Sequence, residues 1–201
     1  MSRTYALKYV NKHAKEGFSL CDRVHCQAYH SMLRFTPLIR EAVANTSGSV
    51  MLDDKNQLID SYFHANCGGQ TSEADYVWNN SIPYLNTFLD TFCIYTKQAK
   101  WEKRISKTEW ENYLVSQFNF PITDSSWLER MYFFDQEERK AFYLSPALGI
   151  PLRDIRIKFN LKSTFFSTRL EGEQVVFYGK GYGHGVGLCQ EGAMKMARSS
   201  Y

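Results

Sequence analysis

The 201 residues carry 24 Lys and Arg against 21 Asp and Glu, a formal charge of +3 spread along the chain. This excludes the dense basic surface that binds nucleic acid, and no run approaches the roughly 18 apolar residues of a membrane span. With 44% hydrophobic and 15% aromatic residues, the chain reads as one domain whose rings suit a strand-rich core or a carbohydrate groove.

The chain opens inside a helix, SRTYALKYVNKHAKEG, predicted to run to about Lys15 without a cap or leader. It stops at Tyr201 just after a second helical segment, QEGAMKMARSS, so both ends read as those of a fragment. A loop through Gln27 follows the first helix and contains CDRVHC. Thiolate and imidazole are ligands zinc prefers, and a closed site needs four. Cys21, His25 and Cys26 supply three; His13 is the first choice for the fourth, with His30 and Cys67 as rivals. His25 and Cys26 are adjacent and share a metal only on a turn. A Cys21–Cys26 disulfide and two unpaired thiols are the alternatives to zinc, and the five cysteines leave one over whatever pairs form.

FTPLIREAVANTSG predicts a helix with Leu38, Ile39, Ala42 and Val43 on one face, Pro37 in the first turn and Gly48 as the stop. SVMLDD and QLIDSYFHANCGG predict a hairpin turning at Asp53–Asn56. Gly68-Gly69 ends its second strand and delivers His64, Asn66 and Cys67 to the rim. Alternation puts His64 and Asn66 on one face and Cys67 on the other, so a Cys–His nucleophile pair competes with a plain strand end. Residues 76–95 read as surface loop and Ser106–Glu138 as helices broken by Pro121. DIRIKFNL, TFFSTRLEG and EQVVFYGKG read as strands, the first from the alternation of Ile155, Ile157, Phe159 and Leu161.

In GKGYGHGVGLCQEGAMKMA, six of the chain's 12 glycines fall between Gly179 and Gly192, around His184. No Lys-Ser/Thr follows them, so this is not a phosphate loop. The alternation predicts a strand or tight turn with one face stripped flat for a bulky substrate and Tyr182, His184 and Val186 on the other. Gln190 and Glu191 then open a helix whose first amides favour an anionic or carbonyl group.

The segments SRTYALKYV, CDRVHCQAY, AVANTSGSVMLDDKNQLIDSYFHANCGGQTSEADYVW, PYLNTFLD and GKGYGHGVGLCQEGAMKMA resemble, in order, the stage II sporulation protein D / LytB family, over residues 2 to 197. The resemblance implies a single SpoIID/LytB-like domain, residues 1–201, truncated at both ends. It implies an extracytoplasmic, cell-envelope protein whose partner is the glycan strand of peptidoglycan, either cleaved as by a lytic transglycosylase or bound by an enhancer of a cell-wall amidase. It also implies a structural zinc in the His13, Cys21, His25, Cys26 loop, as some members have. The family's proposed catalytic glutamate lies just before the Arg-Thr-Tyr-Ala helix and has no counterpart after Met1, so Glu73 is the substitute nominated here. The overall expectation is an α+β fold, a helical and a strand-rich part flanking a glycan-binding groove. Glu73 and His184 are its candidate catalytic residues; His64, Asn66, Gly68, Gly69, Tyr182, Gly183, Gly185 and Gln190 are its candidate substrate contacts. A thiol hydrolase using Cys67 or Cys26 with a histidine is the remaining rival.

Overall fold

A computed structural model describes residues 1–29, 35–78 and 80–200. The chain is α+β and divides into two compact units, Met1–Tyr62 and Phe63–Tyr201. His30 lies outside the described residues.

In the first unit, helix α1 (Ser2–Lys8) buries Thr4 and Tyr5 and stops well short of Lys15. Turns then lead to a single 3-10 turn at Ala14–Glu16, closed by Gly17. Helix α2 (Pro37–Asn45) starts as predicted, with the Thr36 hydroxyl accepting the Ile39 amide and Pro37 in the first turn, where its missing N–H costs nothing. Its C-terminal end is held from outside: the Arg3 guanidinium donates to the oxygen of Val43 in the last turn and to those of Thr46 and Ser49 just beyond it. The expected hairpin is reduced to one bridge between Leu52 and Leu58 around a turn at Asp53–Asn56.

The second unit is built on an antiparallel sheet in the order β2 (Lys100–Ser106), β4 (Gln174–Lys180), β3 (Phe166–Glu171). Central strand β4 buries Val175, Val176 and Phe177, and β3 joins it through the two-residue Gly172-Glu173 turn. Helix α4 (Lys107–Phe118) is capped by Ser106 and drives Trp110 and Leu114 into the core. There Trp110 meets Tyr143 and Phe177 edge-on, and its indole N–H reaches the Met131 carbonyl, so the large ring is buried without an orphaned donor. Short helices α3 (Asp75–Trp78) and α5 (Ser125–Arg130) flank it in sequence.

DIRIKFNL is not a strand: its first five residues lie in helix α6 (Leu152–Lys158), which ends before Phe159. Leu152, Ile155 and Phe159 are three and four residues apart and buried, whereas Ile157 is 75% exposed. The same apolar residues fit both periods. Asp154 in the first turn and Arg156 and Lys158 in the last favour the helix dipole, a signal the alternation obscured.

Two further elements hold the glycine motifs. Strand β1 (Phe63–His64) pairs in parallel with β5 (Leu188–Cys189), setting Phe63 beside Leu188 and His64 beside Cys189. Helix α7 (Gln190–Arg198) leaves directly from β5.

Candidate functional site

The FHANCGG and GYGHGVG segments are locked together through their backbones. Asn66 and Tyr182 exchange both backbone hydrogen bonds, at 3.1 and 2.8 Å. A Cβ on Gly68 would fall 2.7 Å from the Lys180 carbonyl carbon, and one on Gly181 2.6 Å from the Asn66 oxygen. Gly181 also holds a φ of +75°. The glycines therefore admit one chain against another. This replaces the flat, substrate-facing strand expected from the alternation: Gly183 backs onto His64 and Gly185 onto the Arg139 guanidinium.

His64 and His184 come together at this junction, their rings edge to face at 5.7 Å, with Trp78 5.0 Å from His184 on its other side. His184 is half-buried; its Nδ1 accepts the Val186 amide at 3.1 Å, and the ring also hydrogen-bonds the Phe63 backbone. Burial pushes it down to about 3, with His64 and Arg156 adding to the effect, so it stays neutral at physiological pH. His64 is buried, and its Nδ1–H donates to the Val186 carbonyl at 3.1 Å. Its Nε2 has no hydrogen-bond partner, the one such buried side-chain atom among the described residues. Burial holds His64 down at about 4. The buried nitrogen without a partner thus belongs to His64, expected as a substrate contact, while His184, expected as catalytic, uses its Nδ1 to accept the Val186 amide.

The other sequence-predicted residues are dispersed in role. Tyr182 is 45% exposed beside the junction and Trp78 40%, while Gln190 is exposed at the start of α7. Asn66 is fully buried, its amide nitrogen donating to the Cys93 carbonyl, Thr96 and Glu191. Glu73 accepts the Thr87 amide at 2.9 Å. The first amides of α7 are already used inside the protein, Glu191 N–H by the Ala65 carbonyl and Gly192 N–H by the Cys189 sulfur. Sequence reading placed Glu191 only as a helix start. The structure makes it the carboxylate that receives Asn66, Thr96 and Gln98, and its position one residue beyond Gln190 in the motif was the available signal.

The cysteine-histidine loop gathers as a separate cluster in the first unit. The ligand atoms of His13, Cys21, His25 and Cys26 all lie within 4.8 Å of one another. A turn closed by the Cys26 amide on the Arg23 carbonyl lets the adjacent His25 and Cys26 converge. Cys26 Sγ is 3.3 Å from His13 Nε2 and 3.7 Å from His25 Nδ1, and Cys21 Sγ is 3.8 Å from the same Nδ1. Glu16 sits 2.7 Å from His13 Nδ1, the carboxylate–imidazole arrangement that turns the other nitrogen toward a metal. The Arg23 backbone and His25 hold the Cys21 thiol down at about 6. Two thiols and two imidazoles with these contacts fit a tetrahedral divalent ion, and both cysteines are unpaired. Cys67, the rival ligand, lies in the second unit.

The sequence pattern of a family described as stage II sporulation protein matches residues 1–52. Along its length the chain is 30% identical, over 98% of its residues, to an uncharacterized protein of Brachyspira hyodysenteriae, covering 54% of that relative. It is 29% identical to stage II sporulation protein D of Bacillus subtilis, over 80% of this chain and 45% of the relative. An amidase enhancer of Bacillus subtilis is 23% identical over 98% of this chain and 34% of its own length. The chain spans about half the length, or less, of these curated relatives. No helix among the described residues is long and apolar enough to cross a membrane.

Proposed function

Because the chain belongs to the stage II sporulation protein D / LytB family, and has a cell-wall-related role, we propose that it binds the glycan strands of peptidoglycan outside the cytoplasm. The observation carrying this reading is the junction of the two glycine motifs, where Tyr182 and Trp78 are exposed beside the two neutral imidazoles. Flat aromatic faces and neutral polar groups suit a sugar, which presents C–H faces and hydroxyls in place of charge.

Within a longer protein, the reaction is lytic transglycosylation. A carboxylic acid gives its proton to the glycosidic oxygen as the bond to the muramic acid anomeric carbon breaks. The resulting carboxylate takes the proton of the muramic acid 6-hydroxyl as that oxygen closes on the same carbon, so a 1,6-anhydro ring forms without water. Within these residues Glu73 is the nominated acid and His184 the other candidate catalytic residue. Glu191 has its oxygens engaged by Asn66, Thr96 and Gln98 and is the poorer donor. The loop of His13, Cys21, His25 and Cys26 would hold a structural zinc, fixing its own fold and supplying no reaction step.

The test is incubation with peptide-free glycan strands, using this chain and the longer protein, followed by mass spectrometry. The reading predicts binding by both and anhydro ends with the longer protein; absence of glycan binding by either would overturn it. The similarity to an amidase enhancer over 98% of this chain favours a second reading, recruitment of a cell-wall amidase. Faster release of stem peptides by a purified amidase, with no anhydro ends, would select it.

A further inference from the structure

We propose that Cys67, Cys93, Cys189 and Asp90 form a second, buried metal centre, a tetrahedral three-cysteine, one-aspartate site for zinc. Cys67 closes the FHANC segment, Asp90 and Cys93 come from the loop before β2, and Cys189 ends β5. Cys67 and Cys93 are wholly inaccessible, Cys189 is 4% exposed and Asp90 8%. Their ligand atoms all lie within 4.8 Å of one another. Cys67 Sγ is 3.3 Å from both Cys93 Sγ and Asp90 Oδ2. Zinc at about 2.3 Å from sulfur and about 2.0–2.2 Å from oxygen spaces tetrahedral ligands roughly 3.5–3.8 Å apart. Small side-chain adjustments therefore complete the site.

Three features of the surroundings suit a metal better than simple thiols. The first is the carboxylate. Asp90 has no ion-pair partner among the described residues, yet α7 makes room for it: a Cβ on Gly192 would fall 2.5 Å from its Oδ2. A buried carboxylate without a cation is costly, and a metal supplies the missing positive charge. The second is the set of amides on the sulfurs. The Cys67 and Gly192 N–H groups both reach Cys189 Sγ at 3.3 Å, and Gly68 and Gly69 hydrogen-bond Cys93 through their backbones. Such donors orient and stabilise metal-bound thiolates. The third is Arg139, a buried guanidinium that donates to the carbonyls of Cys67 and Gln70 and has no carboxylate partner among the described residues. Three thiolates, one carboxylate and one divalent ion leave a net charge of −2, which this cation partly offsets. On loading, the three thiol protons leave to solvent.

A Cys67–Cys93 disulfide is the main rival; it leaves Cys189 unpaired with two amides on its sulfur, and it gives the buried Asp90 carboxylate, which holds the Phe92 amide through Oδ1, no cation. The site is independent of the glycan reading and of the loop cluster, and it would tie β1, β5 and the loop before β2 together.

The experiment uses the full chain with the loop cluster disabled by Cys21→Ser and Cys26→Ser, purified from zinc-supplemented medium. Elemental analysis should find about one zinc per chain. Exchange for cobalt should give tetrahedral d–d bands with a thiolate charge-transfer band, and Cys189→Ser should weaken that band by about a third. If Cys189→Ser does not fold, Asp90→Asn should release zinc at about 10–100-fold lower chelator concentration than its parent. A folded double variant with well under half an equivalent of zinc overturns the proposal. So does recovery of Cys67 and Cys93 as a disulfide after alkylation without reduction.

Discussion

Single atoms decide the behaviour of the glycine motifs. Gly181→Ala puts a methyl group 2.6 Å from the Asn66 oxygen at a φ of +75°, so it must part the two motifs; Gly17→Ala, at φ +86°, meets nothing within 4 Å. The first should cost about 3 kcal/mol or more and the second about 1 kcal/mol in urea unfolding. Equal costs would mean that backbone angle alone, without interlocking, explains the glycines. The buried imidazoles set a pH dependence. Folded His64 titrates at about 4 and an unfolded histidine at about 6.5, so between these values the unfolded chain binds more protons. Stability is full above pH 6.5 and falls as pH drops through 4, by roughly 3 kcal/mol for this group. Urea midpoints from pH 7 to pH 4 should follow that fall, and His64→Gln should make it shallower, with His184, held down at about 3, supplying the remainder; an unchanged slope would sink the assignment.

Elements show where one sequence permitted two structures. Helix α6 and a strand both place Ile155 inward, but only the helix leaves Ile157 in water. Ile157→Lys should change stability by no more than about 0.5 kcal/mol, while Ile155→Ala should cost about 2–4 kcal/mol. Comparable losses at both positions would restore the strand. Strand β2 escaped sequence reading for a related reason. Its seven residues, KWEKRIS, bury only Trp101 and Ile105, and as an edge strand it carries charge that masks the period of two. The start of α2 was plainer: Pro37 opens its first turn as read, because a fixed φ and a missing N–H suit that position, while the Thr36 hydroxyl cap before it is the structure's addition. The cysteine-histidine cluster was legible in its residue types, whereas the turn at Arg23–Cys26 and the contact of Glu16 with His13 needed coordinates. Glu16→Gln should weaken zinc retention by about 10–100-fold in chelator competition; no change would leave Glu16 a bystander.

For the whole molecule, the motifs told more than the periodicities. FHANCGG and GYGHGVG stand more than a hundred residues apart, and their composition announced a special junction without revealing that each exists to admit the other. His64 and Glu191 were underrated because nothing in sequence says which nitrogen lacks a partner or which carboxylate collects three donors. The central claim is that this junction holds a glycan strand. The most direct measurement is sedimentation of the chain with peptide-free glycan strands, comparing wild type with Tyr182→Ala and Trp78→Ala. The account predicts binding that falls by about 10-fold or more in either variant, with unfolding midpoints unchanged, since each removes an exposed ring worth about 1.4 kcal/mol or more. Equal binding by all three folded proteins would place the glycan elsewhere and contradict it.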